Sequence, residues 1–142
     1  MKVLILNGPN LNMLGIREPK IYGKETYQDL CSCIKNYAEE INIDVEIIQT
    51  NFEGKLIDEI QRAYFEKFDG IIINAGGYTH TSIALLDAIK SVNIPTISVH
   101  LSNIYERDTF RKTNYLKEAC VEEIIGLGFK GYLKALDYFK EN

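Results

Sequence analysis

The chain has 142 residues, of which 46% are hydrophobic and 25% charged, and its net charge is −4. A chain of this length can bury one core, so residues 1–142 are interpreted as a single domain. The acidic balance argues against nucleic acid or an anionic membrane as a partner, and no apolar run is long enough to span a bilayer. The apolar patch near the N-terminus is too short for a signal-peptide core, which predicts a cytoplasmic protein.

Short runs of β-type residues alternate with helical patterns. In chain order we predict a strand at 2–6, a helix capped by Thr26, a strand at 44–50, a helix at 54–68, a strand at 70–74, a helix at 81–92, a strand at 95–102, a strand within 121–128 and a helix at 129–142. The second helix is expected to turn four apolar residues inward, namely Leu56, Ile57, Ile60 and Tyr64.

Strands that alternate with helices are typical of βαβ units and a parallel sheet. Since crossovers between parallel strands are right-handed, the pattern predicts an α/β fold of the flavodoxin-like type. This is a three-layer sandwich around a five-stranded parallel sheet, with the strand order 2-1-3-4-5.

The predicted topology indicates where a ligand would bind. In such sheets, ligands lie beyond the carboxyl ends of the strands, at the point where the strand order reverses. The segments at this edge hold polar and charged residues, namely Asn7, Asn10, Arg17, Tyr22, Asn74, His80, His100, Ser102, Arg107 and Arg111. Their convergence predicts the functional site.

The loop after the first strand is long and irregular, and loops of this kind are usually lids or binding loops. Tyr22 lies in this loop, outside any helical pattern, and Arg17 lies in the same loop. Ionising an unperturbed tyrosine at pH 7 costs about 4 kcal/mol, and a nearby cation lowers that cost. Tyr22 beside Arg17 is therefore a candidate base. The alternative is that Tyr22 packs the loop onto the body of the protein.

His80 and His100 are the two histidines of the chain, and both fall at this edge of the sheet. A metal site would need further His, Cys or carboxylate ligands, and these segments offer few acids, so no metal is expected. A lone histidine is more often structural than catalytic. Because two histidines fall at the same edge, we favour a functional role for them.

Two glycine-containing stretches allow alternative interpretations. Gly76 and Gly77 precede a helix whose cap is predicted to be Thr79 or Thr81, and their N–H groups would either bind an anion or serve ordinary capping. The stretch GLGFKG at 126–131 matches the dinucleotide-binding pattern. No second strand or ribose-binding acid follows it, so we favour a tight turn with close helix packing.

The remaining chemistry points away from cofactors. There is no nucleophile elbow and no signature of a flavin, a nicotinamide or a nucleoside triphosphate. The three cysteines include no C-x-x-C pair and are interpreted as reduced thiols. The site suits a small cofactor-free reaction on an anionic, hydroxylated substrate, such as proton abstraction beside a carbonyl.

Four stretches together resemble the type II 3-dehydroquinate dehydratases of the shikimate pathway, which leads to chorismate and the aromatic amino acids. They are LNGPNLNMLGIREPKIYG, NAGGYTHTSIALLDAI, VHLSNIYERDTFR and GLGFKGYLKAL, and they run nearly end to end in the family's order. The resemblance implies a flavodoxin-like, cofactor-free enzyme that converts 3-dehydroquinate to 3-dehydroshikimate and assembles as a dodecamer of four trimers.

The resemblance also implies roles for individual residues. Tyr22 matches the tyrosinate base, Arg17 the arginine that keeps it ionised, Asn10 the asparagine that stabilises the enolate through a water, and His100 the general acid. Substrate-binding positions are matched by Asn74, His80, Asp87, Leu101, Ser102 and Arg111, with Arg111 pairing with the carboxylate. Arg107 matches a further active-site arginine, and the loop with Arg17 and Tyr22 matches a lid.

Some positions depart from the family pattern. Ser98 stands where the family has a glutamate that orients the histidine, and residues two apart on a strand face the same side. A serine carries no charge, so we predict a less basic His100 and a weaker acid–base step. Glu106 is one candidate to replace the missing carboxylate. Departures at Tyr105, Glu106 and Glu122 lie near the family's site rim and subunit contacts.

Two other functions remain as alternatives. A non-catalytic homologue would hold a small hydroxy acid without turnover, and the missing glutamate favours it. A phosphoacceptor signalling domain would need acids after the first and third strands, where this chain has Asn7 and Asn74. The unrelated type I dehydratase is a (β/α)8 barrel, which does not fit in 142 residues.

Overall fold

The computed structural model describes residues 1–16, 20 and 23–142. Its strands are β1 (Lys2–Asn7), β2 (Asp44–Gln49), β3 (Gly70–Asn74), β4 (Thr96–His100) and β5 (Glu122–Ile125). The α-helices bounded within this part of the chain are α1 (Tyr27–Glu40), α2 (Glu53–Phe65), α3 (Ile83–Val92) and α4 (Lys130–Glu141).

The strands form one parallel sheet in the order β2-β1-β3-β4-β5, which confirms the predicted flavodoxin-like α/β topology. Residues alternate between the two faces of each strand, and each face buries its own apolar cluster. Helices α1 and α4 cover one face, while α2 and α3 cover the other. The central strand β3 is buried along its whole length, as expected for a strand between two helical layers.

The observed helix starts depend on local capping. The prediction that Thr79 or Thr81 caps α3 was wrong, because the Ser82 Oγ accepts a hydrogen bond from the Leu85 N–H at 2.9 Å and is the N-cap. The residues before it form a separate 3-10 turn at Gly76–His80. Thr26 caps α1 as predicted, in a reciprocal hydrogen-bonded pair with Asp29.

The inward face of α2 is narrower than predicted. Leu56 and Ile60 are fully buried and Ile57 packs against the same cluster, but Tyr64 is 55% exposed, so its predicted inward position was wrong. Tyr64 instead stacks edge-on against Phe65. The helical period places position 64 at the margin of the buried stripe, where an aromatic side chain can remain in solvent.

The stretch GLGFKG forms a tight turn, which is the interpretation that the sequence analysis favoured over a dinucleotide-binding loop. Gly126 and Gly128 have φ of 75° and 58°, a conformation that glycine adopts without strain. Their N–H groups donate to the carbonyls of His100 and Leu101 at 3.2 and 3.0 Å. β5 therefore ends at Ile125, and the turn that follows is hydrogen-bonded to the backbone at the carboxyl end of β4.

No helix in the part of the chain that the structure describes is long and apolar enough to cross a membrane.

Candidate active site

A cavity of about 110 Å³ opens at the carboxyl ends of β1, β3 and β4. Its lining includes eight of the residues that the sequence assigned to the site: Asn10, Asn74, His80, His100, Leu101, Ser102, Arg107 and Arg111. Leu14, Gly76 and Gly77 also line it. The structure thus brings together residues that lie up to 101 positions apart in the chain, at the edge that the topology indicated.

Four predicted site residues are not placed in this cavity. Asn7 is fully buried and accepts a hydrogen bond from Tyr132 instead. Arg17 and Tyr22 lie outside the described residues. Asp87 is exposed on α3 and does not contribute to the lining within a single chain. The nearest described part of the loop does reach the site, because Leu14 lines the cavity and is only 3% exposed.

The loops after β1 and β3 approach each other closely, which shapes one wall of the cavity. A Cβ added at Gly8 would lie 2.6 Å from the carbonyl oxygen of Ala75, so only glycine permits this approach. Asn10 follows with φ of 70°, in the left-handed region that asparagine tolerates better than most residues. Its N–H donates to the Asn51 Oδ1 at 3.1 Å, which fixes the loop against the turn after β2.

His100 ends β4 and is 5% exposed. Its Nε2 lies 3.2 Å from the Ser98 Oγ, which confirms that these two side chains share a face of the strand. Burial lowers the pKa of His100 to about 4, and His80 adds to the lowering, while the negative charge of Glu123 raises it.

His80 is held by the segment that follows β4. Its Nδ1 lies 2.6 Å from the Thr113 carbonyl oxygen. A carbonyl can only accept, so Nδ1 carries the hydrogen, and in the neutral ring Nε2 is an acceptor. This tautomer leaves a lone pair on Nε2 of a residue that lines the cavity, suited to accepting a hydrogen bond from a hydroxyl.

A buried polar network lies beneath the cavity and was not predicted. The Tyr132 hydroxyl, from α4, donates to the Asn7 Oδ1 at 2.6 Å and accepts from the Asn74 Nδ2 at 3.0 Å. The Asn74 Oδ1 in turn accepts from the Gly76 N–H at 3.2 Å. Tyr132 is fully buried, which raises its pKa and keeps it protonated as a donor. Its sequence context, an apolar helical stripe, gives no sign of this role.

The segment after β4 supplies positive charge to the cavity. Arg107 and Arg111 both line it, and an Nη of Arg107 donates to the Ser102 Oγ at 3.4 Å. Arg111 has a side chain that is 24% exposed and is 3.4 Å from the exposed Asp108 carboxylate. Two guanidinium groups beside amide and hydroxyl groups suit a small, hydroxylated carboxylic acid. Among residues 1–16, 20 and 23–142, no group of three or more His, Cys, Asp or Glu side chains forms a potential metal site.

We expect His100 to make the protein less stable as the pH falls from about 6.5 towards 4. An unfolded histidine takes up its proton near pH 6.5, whereas the folded protein keeps the pKa of His100 at about 4. Between these values the unfolded state binds more protons, so the free energy of unfolding decreases. The His100 contribution to this loss reaches about 3 kcal/mol below the folded pKa and vanishes above pH 6.5.

Urea unfolding near pH 7 and near pH 4.5 measures this effect. His100→Asn removes the titrating ring, so the variant is expected to lose less stability between the two pH values than the parent. Carboxylates that titrate in the same range affect both proteins alike. An equal loss in both would contradict the assignment of the acid sensitivity to His100.

Comparison with known proteins gives a consistent result along the whole chain. The sequence model of the family described as "Dehydroquinase class II" matches residues 1–140. A 3-dehydroquinate dehydratase from Fusobacterium nucleatum is 55% identical, over 99% of this chain and 97% of that protein. One from Clostridium acetobutylicum is 52% identical, over 99% of this chain and 96% of that protein.

Solved structures agree with this result. The crystal structure of a type II dehydroquinase from Butyrivibrio crossotus superposes with a TM-score of 0.97 at 50% identity, over 100% of this chain and 98% of that one. A type II dehydroquinase from Propionibacterium acnes gives 0.95 at 38% identity, over 99% and 97% of the two chains. Sequence and structure therefore agree over the full length, and the chain belongs to the class II dehydroquinase family.

Proposed function

We propose that this 3-dehydroquinate dehydratase, a hydro-lyase of the shikimate pathway, works through an enolate, with Tyr22 as the base and His100 as the acid. The observation that carries the proposal is the position of His100. This buried histidine is the last residue of β4 and lines the cavity. Asn10, Asn74 and Arg111 line the same cavity. No cofactor is needed, because the substrate's own ketone accepts the electrons of the broken C–H bond.

The proposed reaction has two steps. The Tyr22 phenolate removes a proton from the carbon beside the ketone, and the C–H electron pair moves onto the ketone oxygen to form an enolate. Asn10 stabilises the negative oxygen through a water. The enolate then collapses, the C–O bond to the hydroxyl group breaks, and His100 gives its proton to the departing oxygen so that it leaves as water. Proton transfer from Tyr22 to His100 by way of solvent restores the starting state.

The side chains around His100 suit the substrate. Arg111 would pair with its carboxylate, which a guanidinium can bind through two parallel hydrogen bonds. Asn74, Ser102 and the lone pair of His80 would contact ring hydroxyls, and Leu101 would pack against the ring. Arg107 adds a second cation to the cavity. Asp87 remains a predicted substrate ligand without support from the position it has in a single chain.

The loop that contains Arg17 and Tyr22 is proposed as the lid. Leu14, in the described part of this loop, lines the cavity, which supports the proposal. The Arg17 charge would lower the free energy needed to ionise Tyr22, and closure would exclude water from the enolate.

The assembly and the location belong to the same proposal. We propose a single catalytic domain of residues 1–142 that forms a dodecamer of four trimers. Light scattering would then give a particle mass twelve times the 16.2 kDa of one chain. The three cysteines are unpaired, which fits a reducing compartment such as the cytoplasm.

Steady-state turnover of 3-dehydroquinate tests the function directly. The conjugated enone product absorbs in the ultraviolet, so its formation can be followed continuously, with EDTA present throughout. We expect turnover that EDTA does not reduce. Binding of 3-dehydroquinate without any product would instead establish a binding module that has lost catalysis.

A further inference from the structure

A carboxylate approaches the His100 region from the neighbouring strand. Strands β4 and β5 run parallel, and Glu123 lies opposite Ser98 in their register. Side chains on a strand alternate between faces, and register partners share a face, so Ser98, His100 and Glu123 are on one side of the sheet. Glu106, the other candidate from the sequence, is instead exposed in the 3-10 turn Ile104–Glu106.

Asn114 connects Glu123 to Ser98. Its Nδ2 donates to the Glu123 Oε2 at 2.5 Å and lies 3.5 Å from the Ser98 Oγ. Its Oδ1 accepts from the Leu116 N–H at 2.9 Å, and since an N–H can only donate, this contact fixes which end of the amide faces the carboxylate. With the Ser98–His100 contact of 3.2 Å, a continuous polar chain joins the Glu123 carboxylate to the imidazole.

Tyr105 holds the other side of the carboxylate. Its hydroxyl oxygen lies 2.9 and 2.8 Å from the two Glu123 oxygens and donates to them. Burial and the adjacent Glu123 raise the pKa of Tyr105 to about 12, so the hydroxyl keeps its hydrogen at neutral pH. Two donors from the segment after β4, Tyr105 and Asn114, therefore orient the carboxylate.

The charged groups around His100 act in different directions. Burial favours the neutral ring, and Glu123 opposes it by favouring the protonated ring. Among the described residues, further titratable or charged groups of the surrounding elements include His80 before α3, Arg107 and Arg111 after β4, Tyr105, and Cys120 before β5. Burial and Glu123 raise the pKa of Cys120 to about 12, so this thiol is neutral.

We propose that Glu123 is a positioning residue for the dehydration, orienting His100 through Asn114 and Ser98 and stabilising its protonated, proton-donating form. The inference rests on the proposed role of His100 as the acid. Ser98 alone can supply a hydrogen bond but no charge, and Glu123 supplies that charge from the adjacent strand. The family resemblance implies a glutamate at position 98. In this chain the Glu123 carboxylate, opposite Ser98 on the neighbouring strand β5, is its counterpart.

Titration of the imidazole by NMR tests the electrostatic part without any turnover. The chain has two histidines, so the His100 resonances can be assigned by comparison with a His80→Asn variant. In Glu123→Gln we expect His100 to titrate about 1 unit lower than in the parent. Glu122→Gln is the matched control: it removes a neighbouring carboxylate from an exposed position and is expected to leave the titration unchanged.

Kinetics test the catalytic part. We expect Glu123→Gln to lower kcat about 10-fold near pH 7 and to move the alkaline fall of kcat to lower pH, with KM within about 2-fold of the parent. Glu123→Asp keeps the charge and is expected to recover part of kcat. Combining Ser98→Glu with Glu123→Gln moves the carboxylate onto the strand of His100. This double variant is also expected to recover part of the kcat that Glu123→Gln loses.

Two results would overturn the inference. One is an unchanged His100 titration in Glu123→Gln. The other is an equal loss of kcat in Glu123→Asp and Glu123→Gln. Because Glu123→Asp keeps the negative charge, an equal loss would indicate a purely structural role. Failure of the parent protein to convert 3-dehydroquinate would reject the proposed function, while the NMR result for Glu123 would still stand.

Discussion

Tyr22→Phe is expected to lower kcat for 3-dehydroquinate by at least about 1,000-fold, within the range that a positioned general base contributes. The substitution removes one oxygen and keeps the ring, so packing and substrate binding are expected to persist. The physical reason is that phenylalanine has no oxygen to take the proton from the carbon beside the ketone, which is the proposed role of Tyr22. Rates measured through the enone absorbance, beside substrate affinity from calorimetry, give both quantities.

Tyr64→Phe is the control for this experiment. Tyr64 is exposed on α2, away from the cavity lining, so loss of its hydroxyl is expected to leave kcat unchanged. If Tyr22→Phe kept more than about a tenth of the parent rate, another base would be at work and the assignment of Tyr22 would be wrong. The magnitude also separates a base from a residue that only packs the loop.

His100→Asn is expected to lower kcat about 100- to 10,000-fold, because the departing hydroxyl would have to leave without a proton from the protein. Asparagine retains a polar group beside Ser98, so the end of β4 is expected to keep its geometry. Single-turnover measurements are the sharpest check. They would show whether enolate formation continues while loss of water becomes rate-limiting.

Thr113→Ala provides a comparison for His100→Asn. The backbone carbonyl of Thr113 holds His80, and this substitution keeps that carbonyl, so it is expected to leave the rate nearly unchanged. Solvent exchange of the proton beside the ketone offers a second readout. If His100→Asn abolished that exchange together with elimination, the histidine would be needed for the first step, contrary to its proposed role as the acid of the second.

The proposed roles of Tyr22 and His100 require nearby charges of opposite sign. A tyrosine must lose its proton well below its ordinary pKa near 10, which requires nearby positive charge such as Arg17. A buried histidine must gain a proton although burial lowers its pKa to about 4, which requires nearby negative charge. Glu123 is placed to supply the second, and the strand register is what brings it there.

Local chemistry and periodicity determine much of this protein directly. The apolar run 71–73 within the predicted strand 70–74 indicated a strand buried on both faces, and the structure confirms it. Alternation of strands and helices, together with the handedness of crossovers, indicated the strand order. Because that order places the carboxyl ends of β1, β3 and β4 side by side, ten residues could be assigned to this edge in advance, and seven of them line the cavity.

Contacts between distant segments decided the rest. Tyr132 looks like one more apolar position of α4, and only the packing of α4 under β1 and β3 gives its hydroxyl to Asn7 and Asn74. Glu123 lies 23 residues after His100, and its relation to Ser98 exists only in the register of β4 with β5. Sequence spacing carries no information about such pairs, because a hydrogen bond depends on distance and angle in the folded chain. The sequence by itself therefore determined the fold and the place of the site, and the tertiary structure decided which polar groups lie beside its histidine.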